Sequence, residues 1–345
     1  MSLKLKTCIC LLLFIFASCG SPRSDTSNQD IIVKEFPKTA TISGTPAKDI
    51  EITTRWANLV VVDTFLVIQK IESPFVNIYS TNSYQLLAEI GTKGSGPNEF
   101  EMPSLLKQVS YDEGNNSPVI TLDDIATGRI SKVNILKAIE GKNDAITQAR
   151  TPELDDVRVY LFYKDDSLLL ATPETGGRFV TYNYTTSRKK YTPYVPELDV
   201  EMKDYTKSSI YRSFVAVNKK RNKFVAAPMF LNELNFFDLQ GNYTNSTIIS
   251  PRDKLLPPPG NQSLPTDIKR YFASLEAVNG KIYTLKTGAD EGKIQVFDWD
   301  GNPLEQYTLE ADSRIGSFAY DKIHKQFYVY LPNKEPYNIY TYPLN

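Results

Sequence analysis

Apolar residues fall on alternate positions in short runs bounded by turn residues, the period-two pattern of half-buried strands. The clearest runs are Phe65–Gln69, Val119–Leu122, Ser167–Ala171, Lys223–Ala227, Lys281–Leu285 and Gln326–Tyr330. Each is followed by a further run: Phe75–Tyr79, Arg129–Val133, Arg178–Tyr182, Glu233–Phe237, Lys293–Phe297 and Tyr337–Tyr342. Two of these end in one phrase, Phe237-Asp238-Leu239-Gln240-Gly241-Asn242 and Phe297-Asp298-Trp299-Asp300-Gly301-Asn302. In Asp-x-x-Gly the Asp bonds the local backbone and Gly supplies positive φ, which makes a hairpin turn. A hairpin recurring at a fixed period marks an array of four-stranded blades. The pattern therefore predicts an all-β chain, a six-bladed β-propeller over residues 31–345; five or seven blades are the alternatives.

The last blade runs out of chain after three strands. Ile31–Ser43, ahead of the first blade, is expected to supply its outer strand, closing the ring and removing exposed edges. A short helix is expected within Val133–Ile139, where Ile135, Leu136 and Ile139 fall at helical spacing. The links Glu197–Tyr211 and Ser250–Tyr271 are long, and the second contains Pro257-Pro258-Pro259-Gly260, which suits neither helix nor central strand.

Formal charge narrows the function. It is −1 overall, and −3 without the first eighteen residues, which hold Lys4 and Lys6 and no acid. Nucleic-acid binding needs a concentrated basic face, so no nucleic-acid partner is expected. All three cysteines, Cys8, Cys10 and Cys19, precede residue 20, and His324 is the single histidine. Later disulfides, thiolate sites and His-based metal sites within one chain are excluded. His324, in the polar run Asp321–Lys325, reads as an exposed turn residue. No cofactor and no metal ligand set is indicated, although an oxygen-coordinated Ca²⁺ stays open.

The first eighteen residues read as an address. Lys4 and Lys6 precede an apolar run from Ile9 to Ala17, too short to span a bilayer and suited to a signal-peptide core. Phe16-Ala17-Ser18-Cys19 resembles a bacterial lipobox, with Phe16 where Leu is commonest. The resemblance implies cleavage before Cys19 and acylation of that residue, with residues 19–30 as a polar tether. Gly20 after the cysteine is consistent with outer-membrane sorting.

Gly91-Thr92-Lys93-Gly94-Ser95-Gly96-Pro97-Asn98-Glu99-Phe100, then Pro103, resembles the opening of an NHL-type repeat. Asp123-Asp124-Ile125-Ala126-Thr127-Gly128-Arg129-Ile130 is similar to that repeat's D-x-x-x-x-R-I. Behind a lipobox, these motifs resemble the TolB-like six-bladed propeller lipoproteins of Bacteroidota. The sharp motif covers one blade, and the family's molecular function is largely unassigned. From the residues alone, Gly91, Gly94 and Gly96 let the chain reverse between blades and Pro97 stiffens the corner. Glu99 is placed to cap backbone amides, and Phe100 to pack between blades. No Gly-Lys-Ser/Thr closes the glycine run, which argues against a phosphate loop.

Arg129 and Arg178 each open a strand after a glycine. They suit either anion binding around the pore or ion pairing between blades, and the second is the commoner use. Tyr205, Tyr211, Arg212 and Tyr271 border the long links as either a ligand platform or packing beneath the loops, again with packing the commoner use. Asp166-Ser167-Leu168 matches a short glycosylation motif of Bacteroidota. The expected function is a membrane-anchored envelope lipoprotein whose propeller binds a peptide, protein or glycan, without catalysis, on the top face that carries those links. The alternative is a Ca²⁺-dependent lactonase-like hydrolase using channel groups such as Asp112, Asn218, Asn279 and Asp321. A purely structural role in an envelope complex is a third. If the lipobox is read, Cys19→Ala will release the protein from membranes or leave an unprocessed precursor. Fractionation with acyl labelling checks this; unchanged attachment with no label on the wild type removes the anchor.

Overall fold

Strands of four to six apolar residues bury both faces only when sheets are stacked, and stacking around an axis is the arrangement found. The computed structural model describes residues 30–345 apart from 115, 150, 152–156, 165–167, 199–201, 250–267, 288–291, 337 and 345. The signal segment, Cys19, the tether up to residue 29 and the Asp166-Ser167 site lie outside the described residues, as does most of the second long link.

Blade 1 is Ala57–Val62, Phe65–Lys70, Val76–Ser80 and Leu86–Ile90. Blade 2 is Pro103–Tyr111, Pro118–Asp124, Arg129–Asn134 and Ile146–Gln148. Blade 3 is Val157–Lys164, Leu168–Pro173, Phe179–Asn183 and Arg188–Thr192. Blade 4 is Ser213–Asn218, Lys223–Pro228, Glu233–Asp238 and Tyr243–Ile248. Blade 5 is Phe272–Val278, Lys281–Thr287, Gly292–Phe297 and Pro303–Glu310. Blade 6 is Ser317–Asp321, Gln326–Tyr330 and Ile339–Pro343, completed by Thr45–Pro46. The chain is a six-bladed β-propeller. The expected helix is present as Ile135–Ile139, capped by Asn134, whose side chain accepts from Lys137 N at 3.1 Å.

Simple alternation fails in the middle strands, and the reason is physical. Pro118–Asp124 is buried at every position, because one face meets blade 1 and the other blade 3. The apolar clusters follow the seams. One joins Val67, Val76 and Ile78 of blade 1 to Ile120, Leu122 and Val133 of blade 2. Another joins Phe179 of blade 3 to Phe224 and Phe237 of blade 4, where Phe224 and Phe237 stack at 4.8 Å and Phe179 meets both edge-on. Among the described residues the seam between blades 2 and 3 is the thinnest, with Ile130, Leu169 and Tyr184 as its buried apolar members.

The two Asp-x-x-Gly turns are alike. Asp238 Oδ1 accepts from Gln240 N and Asn242 N at 2.9 and 2.8 Å, and Asp298 Oδ1 from Asp300 N and Asn302 N at the same distances. Each turn docks on the preceding blade. Thr192 Oγ1 donates to Gly241 O at 3.1 Å, and Thr247 Oγ1 to Gly301 O at 2.8 Å. A Cβ on Gly241 or Gly301 would lie 2.5 or 2.4 Å from those hydroxyls, so glycine is required for contact as well as for φ.

Ring closure corrects the sequence reading. An N-terminal strand does complete the last blade, but it is Thr45–Pro46, antiparallel to Tyr340 and Thr341, and not Ile31–Ser43. That segment is a strap outside the ring. Ile31–Ile32 pairs in parallel with Thr247 and Ile248 of blade 4, and Lys38–Ser43 in parallel with Glu305–Glu310 of blade 5. Asp30 Oδ1 accepts from Ser246 N at 2.9 Å and Tyr243 Oη at 3.1 Å. Ala40 and Ile42 pack on the seam between blades 5 and 6. At Gly44 the chain crosses the Tyr342 ring, which a Cβ would meet at 2.4 Å, and there it changes partner from blade 5 to blade 6. Period-two pattern cannot tell an outer strand from a strap lying beside one.

Each backbone hydrogen bond contributes about 1 kcal/mol net. A chain starting at Gly44 should therefore be less stable than one starting at Asp30 by several kcal/mol, in a single transition, because every blade leans on two others. A chain starting at Pro37, which loses the blade 4 pairing and the Phe36 packing on Phe297 but keeps the blade 5 pairing, should fall between. Thermal and urea melts of the three decide it; coincident melts would show that the strap contributes nothing.

Candidate functional site: the central channel

The glycine-rich corner is a closed structural unit. Gly91 has φ +79° and Gly94 φ +154°, and Glu99 Oε2 accepts from Gly96 N at 2.8 Å. A Cβ on Gly94 would lie 2.2 Å from that carboxylate, and one on Gly91 2.9 Å from the buried Phe100 ring. Pro97 O accepts from Gln148 Nε2 at 3.4 Å. The second half of the motif locks onto the first. Arg129 donates to Gly96 O at 3.1 Å and Glu99 O at 2.6 Å, and Asp124 accepts from Glu101 N and Met102 N at 3.1 and 2.9 Å. Burial alone would raise the Asp124 carboxyl, but the Met102 and Glu101 amides, Thr127 and Arg129 outweigh it and hold it below its ordinary value. Arg129 is thus occupied with loop carbonyls rather than offered to an anion.

Arg178 is also an internal brace: of the two uses weighed for it, the structure shows a link between blades and not a pore-side cation. It is 3% exposed. Its guanidinium donates to Asn235 Oδ1 at 2.8 Å, to Ser213 Oγ at 3.0 Å and to Val195 O, tying blade 3 to blade 4 and to the segment just ahead of the first long link. Burial lowers it to about 10 despite the nearby Glu233. Asn235 passes the network on through Ser246 to Tyr243 and so to Asp30 of the strap. Tyr211 and Tyr271 are buried at 3% and 4%, so neither forms an exposed platform. Tyr211 packs with Ile210 and Leu231 and donates to Pro196 O, while Lys269 lies 4.8 Å over the Tyr271 ring. Arg212 is exposed, and the Tyr205 side chain lies outside the described residues. A guanidinium after a strand-opening glycine and an aromatic beside a loop are legible in sequence; the direction each points is not.

The enclosed space lies elsewhere. The inner strands surround a cavity of about 600 Å³. It opens where they turn into the second strands, at Asp63, Tyr111, Lys219, Asn279 and Lys322, which is the face opposite the long links. Its walls include Val60, Val62, Phe162, Val215 and Tyr320. Its deep end holds a charged pair that the sequence reading missed. Lys107 of blade 2 reaches across the channel to blade 5, diametrically opposite in a ring of six, where its Nζ lies 3.5 Å from Glu276 Oε2. It donates to Phe318 O of blade 6 at 2.6 Å and sits 4.9 Å over the Phe318 ring. The main-chain amide of Tyr320 donates to Glu276 Oε1 at 2.5 Å. Burial lowers the Lys107 ammonium and raises the Glu276 carboxyl, each partly offset by the other. At the mouth Tyr111 donates to Asp63 at 3.0 Å, and burial with that contact pushes the phenol up to about 12.

The groups considered for Ca²⁺ are engaged in turns. Asp112 Oδ1 accepts from Gly114 N at 2.8 Å, Asn218 Oδ1 from Arg221 N at 3.1 Å, and Asp321 Oδ1 from Ile323 N and His324 N. Asn279 forms a tight turn at φ +51°. His324 is exposed, with Nδ1 2.7 Å from Asp321 Oδ2. Among the described residues no three His, Cys, Asp or Glu side chains gather as a metal site would require.

Solved structures share the architecture. The chain is similar to a DUF4221-family member from Bacteroides vulgatus, with 11% identity and TM-score 0.53 over 90% of this chain and 98% of that one. It is similar to a putative exported protein from Bacteroides fragilis, with 12% identity and TM-score 0.50 over 91% and 97%. It is also similar to a luciferin-regenerating enzyme, with 8% identity and TM-score 0.50 over 87% and 95%. At these identities the likeness is one of fold. No protein-family model matches the chain, and no curated protein does.

Beside Asp124, Asp123 points the other way, into the thin seam, where its Oδ2 accepts from Tyr160 N at 3.1 Å. Burial, with the charge on Asp124, raises it from 3.8 to about 7 against the Tyr160 amide. A raised carboxyl stabilises the fold fully below its unfolded value and loses that stabilisation as pH climbs through the folded one, here between about 4 and about 7. Asp123→Asn keeps the acceptor and removes the charge. It should raise the melting temperature at pH 8, with a benefit that shrinks as pH falls and is gone near pH 4. Melts across that range check it; a benefit independent of pH would place the titration elsewhere.

Proposed function

We propose that this protein is an envelope lipoprotein of the TolB-like, NHL-type propeller kind found in Bacteroidota. It is anchored through Cys19, most simply at the outer membrane, and works by binding rather than by catalysis. Its site is the channel mouth opposite the long links, and its ligand is a small molecule or the end of a peptide, protein or glycan. The observation that carries this reading is the cavity of about 600 Å³ with a charged pair at its deep end. That volume is within the ordinary range for ligand pockets, where a few convergent polar groups fix the ligand's orientation. The lipobox and polar tether support the location, as does the likeness to a putative exported protein of Bacteroides fragilis. Binding is favoured over Ca²⁺-dependent hydrolysis because Asp112, Asn218 and Asp321 each spend an oxygen on the local backbone.

The test compares wild type with Ser110→Trp, which places an indole in the mouth. Both are purified with their lipid from detergent-solubilised membranes and examined by native mass spectrometry. A defined adduct or co-eluting partner should accompany the wild type and be lost from the variant, with melts alike. Identical recovery from both would remove the channel as the site, and Ca²⁺-dependent turnover of a lactone would promote the hydrolase.

A further inference from the structure

The face that carries the long links has a surface that the channel does not explain. In blade 1, Trp56 and Ile71 each lie one residue beyond the Ala57–Lys70 pair, where the first two strands end. Met102 and Ile125 are placed the same way in blade 2, beyond the Pro103–Asp124 pair, and Ile125 N donates to Met102 O at 3.2 Å. The two pairs are neighbours, since Gln69 Nε2 donates to Pro103 O at 3.1 Å, two residues from Ile71 and one from Met102. Trp56, Ile71, Met102 and Ile125 are 42%, 51%, 59% and 43% exposed. Their backbone is nonetheless fixed. Trp56 N donates to Thr54 Oγ1 at 3.3 Å, Thr54 O accepts from Tyr330 Oη at 2.6 Å, and Met102 N donates to Asp124 Oδ1 at 2.9 Å. A contiguous apolar patch held on a rigid frame marks a contact surface. Arg55, Glu72 and Glu101, exposed beside patch residues, bring both signs of charge, so the attraction is apolar.

The chain's entry points to what covers the patch, resting on the Cys19 anchor proposed above. Eleven residue steps separate Cys19 from Asp30, a reach of at most about 36–40 Å. Asp30 is bonded to the outer strand of blade 4, opposite blade 1 in a ring of six. A lipid attached on that side alone leaves the ring free to swivel, and a second contact across the ring fixes it. The tether makes that second contact intramolecular, which favours the bilayer over a soluble partner. A tryptophan among aliphatic side chains also suits the boundary between headgroups and acyl chains. We propose that Trp56, Ile71, Met102 and Ile125 dock on the bilayer that holds the anchor. The ring then stands on blades 1 and 2, with the channel mouth turned away from the membrane.

The test uses the full lipidated chain in phosphatidylcholine vesicles whose acyl chains carry bromine, a contact quencher of tryptophan. The chain has two tryptophans, and Trp299 is buried in the seam between blades 4 and 5, so quenching reads Trp56. The wild type should be quenched and Trp56→Ser should not. Ile71→Ser with Met102→Ser, both at exposed positions, should melt like the wild type and lose most of the quenching. Cysteine is absent after Cys19, so single added thiols read the orientation. On vesicles, Ala126→Cys beside the patch should react with a bulky maleimide several-fold faster once Ile71→Ser and Met102→Ser are added. Lys322→Cys at the channel mouth should react alike in both backgrounds. A wild type that floats with vesicles without quenching overturns the docking and keeps the anchor, whereas one that does not float overturns both. Quenching that requires anionic lipid or vanishes in high salt overturns the apolar contact. An unquenched dimer that Ile71→Ser with Met102→Ser separates gives the patch to a second copy instead.

Discussion

Burial of both faces of every blade is the constraint on which the rest of the structure depends. A lone four-stranded sheet of this composition would expose one apolar face, and a row of sheets would still expose one at each end. Only a closed ring buries all of them. The clusters lie across seams and not within blades: Ala319 and Tyr328 of blade 6 share a core with Leu59 and Leu66 of blade 1, as Leu285 and Ile294 of blade 5 do with Phe318 and Phe327 of blade 6. The ring closes where the two ends of the chain meet, and the N-terminal segment does more there than expected. It lies along the outer strands of blades 4 and 5 before giving its last two paired residues to blade 6. It covers edges that would otherwise present unpaired backbone groups.

Polar contacts then set the register of one blade against the next. Thr192 and Thr247 occupy equivalent places and make the same bond to Gly241 and Gly301. The repeated phrase that reveals the fold in the sequence is therefore a docking element as well as a turn. The glycine-rich corner works similarly between blades 1 and 2. Asp124 caps its amides, Arg129 takes its carbonyls, and Phe100 seals the seam beneath. Each of these residues satisfies groups that the others leave open.

This explains what could and could not be read from the sequence. Strand positions were legible because turn residues are local: Asn279-Gly280 and Asp298–Gly301 need only their neighbours. Gln326–Tyr330 and Lys223–Ala227 come out within a residue of their expected limits for that reason. The site was not legible, because it depends on what the ring brings together. Lys107 and Glu276 belong to different blades and share no motif, and no local rule places one opposite the other. The available signal was a single charge in each inner strand, Lys107 after Leu105-Leu106 and Glu276 between Leu275 and Ala277. Arg178 was left open between the pore and a neighbouring blade. Its position beside the loops was right, but its buried, hydrogen-bonded guanidinium is set by Asn235 and Ser213, far away in the sequence.

A buried ion pair is poor evidence for stability. Desolvating two charges costs several kcal/mol for each, and apolar replacements of similar volume are often neutral or stabilising. The Lys107–Glu276 pair is a weak example even by that standard, since the charges are 3.5 Å apart and burial pushes both toward neutrality. The seams already hold the ring together without it. Arg178 differs, because its hydrogen bonds join two blades and the segment just ahead of a link, so its burial is offset by the structure it fixes. Lys107 is bonded across a space and not within a seam. Its charge is therefore held beside an open volume at a cost that the surrounding seams do not require.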